Sequence, residues 1–155
     1  METWKPVVGF ESNYEVSDLG NVRSNSRFDS RGISRGGHAM KLRVCPRHGY
    51  VTVKLSKDGK VRLCKVHRLV LEAFVGPAPD GMIGLHGDDV KRNNALSNLR
   101  WGTQKDNKDD ARRNGTVAIG ERNGGGGKLK ESDVREIRRA SLLGQTPSVI
   151  AKRFG

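Results

Sequence analysis

Residues 85–107 read LHGDDVKRNNALSNLRWGTQKDN, and this stretch decides how the chain is understood. Leu85-His86 closes a short apolar segment. A polar loop follows from Gly87 to Asn98, and Leu99-Arg100-Trp101-Gly102-Thr103 has the composition of a second short strand. Gln104 to Arg113 is polar throughout, with Thr103 as a natural N-cap and Gly115 as a stop, which predicts a helix. The order is therefore strand, loop, strand, helix in about 30 residues. His86 shares its loop with Asn93, Asn94 and Asn98, and Asn107 falls on the helix beyond. An asparagine carbonyl oxygen can bind a hard metal ion or hold an imidazole in one tautomer. The same residues also suit a turn-forming asparagine cluster beside a surface histidine.

The charge points to the partner. Twenty-nine Lys and Arg stand against 17 Asp and Glu, for a net +12 and a pI near 10.2. Such a domain attracts polyanions and gains affinity by releasing counterions from phosphates. No apolar run reaches the roughly 18 residues that suggest a membrane span. The N-terminus, METWKPVVGFE, lacks the basic-then-apolar order of a secretory signal. A cytosolic protein with two reduced cysteines is expected.

Upstream, Tyr14–Ser17 and Asn21–Ser24 flank the turn cluster Asp18-Leu19-Gly20, so residues 1–25 read as a small β module. Residues 26–38 read as a loop whose Arg27, Arg31 and Arg35 suit phosphate contacts, or equally as a solvated basic loop. Residues 50–55 and 61–66 alternate around Lys57-Asp58-Gly59-Lys60, which predicts a hairpin. Val66, Leu69, Val70 and Phe74 then recur at helical spacing, predicting a helix over 67–75 that Gly76-Pro77 ends. Residues 26–75 thus lead into a core at 76–115. Downstream, residues 116–127 are a glycine-rich linker ending in four glycines. Residues 128–155 predict two short helices around Gly144, with Ser132 as N-cap of the first and Pro147 opening the second.

Residues 85–107 closely resemble the HNH motif of phage and intron-encoded homing endonucleases, through His86, Asn93-Asn94, Asn98-Leu99, Trp101, Thr103 and Asn107. WKPVVGFESNYEVSDLGNVRS (4–24) resembles the short module that often precedes such domains, and VHRLVLEAF (66–74) the helix that leads into them. GKLKESDVREIRRASLLGQTPSVIAKRFG resembles the first half of a helix-turn-helix, with the groove-reading helix expected beyond Gly155. The resemblance implies an α+β protein: a β-rich N-terminal part, a central ββα-metal nuclease and a helical C-terminal DNA-binding segment. It implies cleavage of double-stranded DNA with a Mg²⁺ or Mn²⁺ ion, and a phage or mobile-element origin. Carried over by position, His86 is the general base, Asn98 holds its imidazole, and Asn107 binds the metal.

One position departs from that pattern. Many relatives carry Asp or Asn just before the histidine, where this chain has Leu85. The ion then rests on Asn107, phosphate oxygens and water, or Asp88 or Asp89 reaches it from the loop. DNA contacts are expected from Arg23, Arg27, Arg31, Arg35, Arg100, Lys105, Arg112 and Arg113. A rival chemistry lies in two C-x-x-H pairs, Cys45…His48 and Cys64…His67, which match zinc spacing. Ordinary packing in a strand and an apolar helix accounts better for Cys64 and His67, so structural zinc is not expected. A DNA-binding protein keeping the scaffold without activity is the alternative function. An RNA-binding protein suits the charge but leaves the asparagines unexplained. No membrane or obligate protein partner is expected.

Overall fold

The computed structural model describes residues 1–28, 30–117 and 129–154, with the side chains of Arg27 and Arg35 left out. The expected linker therefore lies outside the described residues from position 118 onward. The fold is mixed α+β, and it divides into two compact units, residues 1–114 and residues 115–155.

The first unit begins with an antiparallel sheet of β1 (Trp4–Pro6), β2 (Tyr14–Ser17) and β3 (Val22–Ser24), in that order. The turn expected at Asp18–Gly20 joins β2 to β3, while β1 is too short to show any periodicity in the sequence. The supposed loop at 26–38 holds a minimal hairpin, β4 (Arg27–Phe28) with β5 (Ser34–Arg35). A second three-stranded sheet follows: β6 (Arg43–Val44), β7 (Val51–Lys57) and β8 (Lys60–Lys65). The β7–β8 hairpin has the expected alternation, with Val51, Val53 and Leu55 buried. Helix α1 (Val66–Phe74) buries Val66, Leu69, Val70 and Leu71 on one side, as its spacing requires.

The segments expected as separate modules share one interior. Val7, Phe10, Tyr14, Val16 and Val22 pack with Val51, Val53 and Leu55, with α1, and with Leu99. Polar ties reinforce the seam, because the Ser56 amide donates to the Tyr14 hydroxyl at 3.1 Å. Sheets this small bury too little apolar surface alone, and pooling it resolves that difficulty.

Against this body lies β9 (Ile83–His86) paired antiparallel with β10 (Leu99–Gly102), followed by α2 (Gln104–Arg113). Thr103 caps α2 in both directions: the Asp106 amide donates to its Oγ1 at 3.2 Å, and its own amide donates to Asp106 Oδ2 at 2.7 Å. Asp110, 3% exposed, accepts from Arg100 of β10 at 2.6 Å and from Arg113 at 2.8 Å, which straps the helix to the hairpin.

The second unit holds α3 (Glu131–Leu142) and α4 (Pro147–Phe154). α3 starts just before the expected Ser132 cap, because the Lys130 amide donates to Asp133 Oδ2 at 2.8 Å. No described helix is long and apolar enough to cross a membrane.

Candidate active site

His86 ends β9, opposite Leu99, and its ring is almost wholly enclosed. Its Nε2 lies 3.2 Å from Asn94 Oδ1. The Asn94 amide is oriented independently, since its Nδ2 donates to the Arg92 carbonyl at 3.2 Å. The oxygen therefore faces the ring. A carbonyl oxygen only accepts, so Nε2 carries the hydrogen and Nδ1 keeps its lone pair. Burial holds the His86 pKa below the ordinary imidazole range, against the raising effect of Asn94, Asp88 and Asp89. The ring is thus neutral near pH 7.

Asn98, expected to hold this imidazole, does not touch it. Its Oδ1 accepts from the Asp88 amide at 3.1 Å, and its Nδ2 donates to Asp88 Oδ1 at 2.9 Å and the Asn93 carbonyl at 3.0 Å. Asn98 clasps the loop from within, and the asparagine whose side chain meets the ring is Asn94. Asp88 is equally engaged. Besides Asn98, its carboxylate accepts from the Val90 amide at 2.8 Å and from Asn93 Nδ2 at 2.7 Å. Those bonds outweigh burial and hold its pKa below the ordinary carboxylate range, and they tie the exposed Asp88 carboxylate into the loop. Asp89 Oδ2 accepts from Asn114 Nδ2 at 3.1 Å, and the same amide nitrogen donates to the Gly87 carbonyl at 2.9 Å. The loop is thereby tied to the end of α2.

Asn107 sits on the turn of α2 that follows Thr103. It lies three residues before Asp110 and seven before Asn114, so it shares the helix side turned to the hairpin. Its exposed side chain has no hydrogen-bond partner among the described residues. Leu85, at 2% exposure, fills the space over Gly102, where a Cβ would come within 2.6 Å of its Cδ1. The described residues hold no cluster of three or more His, Cys, Asp or Glu placed to bind a metal. Cys45 and Cys64 are both free thiols.

His67, read from the sequence as structural, lies directly under the site. At 4% exposure it packs edge-to-face on His86, centroids 5.0 Å apart, and against Tyr50 at 5.0 Å. Its Nδ1 is buried without a hydrogen-bond partner. Burial, then repulsion from His86, Lys65 and Arg68, pushes its pKa down to about 3. Lys65 and Lys91 place their ammonium groups 4.7 and 5.1 Å over the Tyr50 ring.

The arginines expected on DNA divide. Arg23 pairs with Glu15 at 2.6 Å and stacks on Trp4 at 4.2 Å, while Arg100 and Arg113 serve Asp110. These three are bound into the fold by carboxylates that charge counting passed over. Lys105 and Arg112 are exposed on α2, the latter near Asp109 at 3.3 Å, and Arg31 is exposed. Arg27 and Arg35 have no described side chains.

Comparison with known proteins agrees with this architecture. Residues 2–56 match the NUMOD4 motif family, and residues 64–109 match an HNH endonuclease family. DNA endonuclease I-HmuI of Bacillus phage SP01 is 35% identical over 116 residues, covering 75% of this chain and 61% of that protein. An uncharacterized HNH endonuclease of Acanthamoeba polyphaga mimivirus is 34% identical over 116 residues, 75% of this chain and 32% of its own. Protein 7.7 of Escherichia phage T7 is 38% identical over 81 residues, 52% of this chain and 61% of its own. The chain thus spans less than two thirds of the length of these curated relatives. A solved structure described as DNA binding and cleavage by the HNH homing endonuclease I-HmuI superimposes with a TM-score of 0.61 at 31% identity, covering 90% of this chain and 68% of the other. With two family matches in sequence order and a structural match over most of both molecules, the chain belongs to the HNH homing endonuclease family.

Proposed function

We propose that the chain is a DNA endonuclease that hydrolyses phosphodiester bonds, with His86 as general base. The observation that carries this reading is the His86–Asn94 contact at 3.2 Å. It leaves a neutral imidazole with its proton on Nε2 and a free lone pair on Nδ1. That nitrogen takes a proton from the attacking water, and removing such a group costs about 10²–10⁴-fold in rate. Asn98 and Asp88 shape the loop that presents the ring.

A hard divalent ion, Mg²⁺ or Mn²⁺, would be held by the side-chain oxygen of Asn107, with phosphate and water supplying the remaining ligands. A bound ion would neutralise the phosphate and stabilise the leaving oxygen. Lys105, Arg112, Arg100 and Arg113 are exposed basic positions on and beside α2, and Arg31 is exposed in the β4–β5 region. The likeness to I-HmuI, whose solved structure concerns DNA binding and cleavage, supports DNA as the substrate, which we take to be double-stranded.

The second reading, a DNA-binding protein without activity, is favoured by Leu85 and by the engagement of Asp88. A plasmid-nicking assay with and without magnesium decides between them. Magnesium-dependent nicking that His86→Ala abolishes supports the endonuclease. Binding without nicking under any divalent ion supports the alternative. Mn²⁺ binding followed by electron spin resonance, compared with Asn107→Ala, tests the metal site independently of cleavage.

A further inference from the structure

The loop that carries Asn94 is seated on the N-terminal sheet, at the turn between β2 and β3. Gly20 in that turn has φ +83°, and a Cβ there would meet Asn94 Cβ at 2.7 Å and its carbonyl oxygen at 2.9 Å. Just beside it, the Leu96 amide donates to the Asp18 carbonyl at 2.7 Å. Asn94 itself is buried, and its side-chain oxygen meets His86 Nε2. Three contacts therefore connect a turn of the N-terminal module to the imidazole some 65 residues later. The Asn98–Asp88 clasp fixes the loop internally but makes no contact with the ring.

We propose that the N-terminal sheet is part of the nuclease site: the Asp18–Gly20 turn seats Asn94, and Asn94 in turn fixes the tautomer and orientation of His86. Gly20 and Asn94 are then positioning residues. The proposal rests on the reading of His86 as general base, but its physical content is the state of a ring that can be observed without substrate. A side chain at position 20 cannot be absorbed by a flexible neighbour, because two of the atoms it meets are Asn94 backbone, the carbonyl oxygen at 2.9 Å and its carbon at 3.2 Å. The loop must move, and Asn94 Oδ1 with it. Displacing a catalytic group by about 1 Å costs on the order of 100-fold in rate.

Gly9 supplies a matched control. It lies in the same module with φ +80°, yet a Cβ there has nothing within 4 Å. Gly9→Ala and Gly20→Ala both place a side chain at a similar positive φ, and only the second presses on Asn94. Imidazole ¹⁵N spectra of the full chain, wild type and variants, report the tautomer of His86 directly. The expected result is a single Nε2–H form in the wild type and in Gly9→Ala, and a mixture in Gly20→Ala and in Asn94→Leu. Single-turnover cleavage falls about 100-fold in Gly20→Ala, with DNA affinity unchanged. A folded Gly20→Ala protein with one tautomer and wild-type rate overturns the proposal. If the wild type cleaves nothing, the endonuclease reading fails while the spectra still decide this one. Should Gly20→Ala not fold, hydrogen exchange in the wild type decides: the Leu96 amide opens together with the Ser17 amide of the sheet if the seat exists, and at lower free energy if it does not.

Discussion

His67 makes the first unit acid-labile in a way that one substitution should remove. Its imidazole, 4% exposed and wedged between Tyr50 and His86, is held neutral down to about pH 3, against an ordinary value of 6.5. The unfolded chain protonates this ring below about pH 6.5 and the folded chain does not. Between pH 6.5 and about 3 the unfolded state therefore binds more protons, so stability falls as pH falls through that window. Each pH unit costs about 1.4 kcal/mol, so the loss between pH 7.5 and 5 is about 2 kcal/mol from His67 alone. Urea unfolding at the two pH values measures it in the wild type and in His67→Phe. Phenylalanine keeps an aromatic ring in the cluster and has no proton to gain. The wild type should lose about 2 kcal/mol more than the variant over this interval. His86, whose pKa is also lowered by burial, contributes in the same direction in both proteins and cancels in the comparison. Identical pH dependence in the two proteins would refute the placement of a neutral, buried imidazole at position 67.

His86→Ala should abolish nicking while DNA affinity, measured by filter binding, stays nearly intact; cleavage at near wild-type rate would remove it from the mechanism. Asp110→Asn should lower stability by about 2 kcal/mol in urea titration, since it weakens two charged hydrogen bonds at a buried carboxylate. Arg23→Ala should lower stability without changing the slope of DNA affinity against salt, whereas Lys105→Ala should reduce that slope. Leu85→Asp adds a hard oxygen but buries it beside Gly102, so a loss of several kcal/mol is expected; a stable variant with tightened Mn²⁺ binding would mean that the side chain reaches the ion.

What the sequence discloses about this fold follows from the range of the interactions involved. Thr103 and Asp106 close their capping box within one turn, so α2 was readable to the residue. The β7–β8 hairpin is likewise local, its alternation and its Asp58-Gly59 turn lying in one stretch. Strands of two or three residues, such as β4, β5 and β6, carry no period at all. They exist because a neighbour pairs with them. The arginines show the same division. Arg113 and Asp110 stand at helical spacing, and Arg23 faces Glu15 once the β2–β3 register is set, so both pairings were within reach of pattern reading. Arg100 reaches Asp110 only because α2 folds back across β10.

The choice between Asn94 and Asn98 was not legible, for a reason that bears on how the site is built. Both asparagines lie in one loop, at comparable distances from His86 along the chain, and both have the chemistry to hold an imidazole. In the structure Asn94 meets the ring, and Asn98 is engaged by Asp88 instead. Its carboxylate draws in Asn98, Asn93 and the Val90 amide, and so turns Asn98 away from the ring. Asn94 is left facing His86, and a glycine of the N-terminal sheet leaves it the room to sit there. A motif names the residues of this loop, but the assignment of their roles depends on a carboxylate inside the loop and on a turn outside it. His67 repeats the lesson. Its place at the start of an apolar helix correctly indicated burial, and nothing in that local pattern could indicate that the ring it lies beneath is His86.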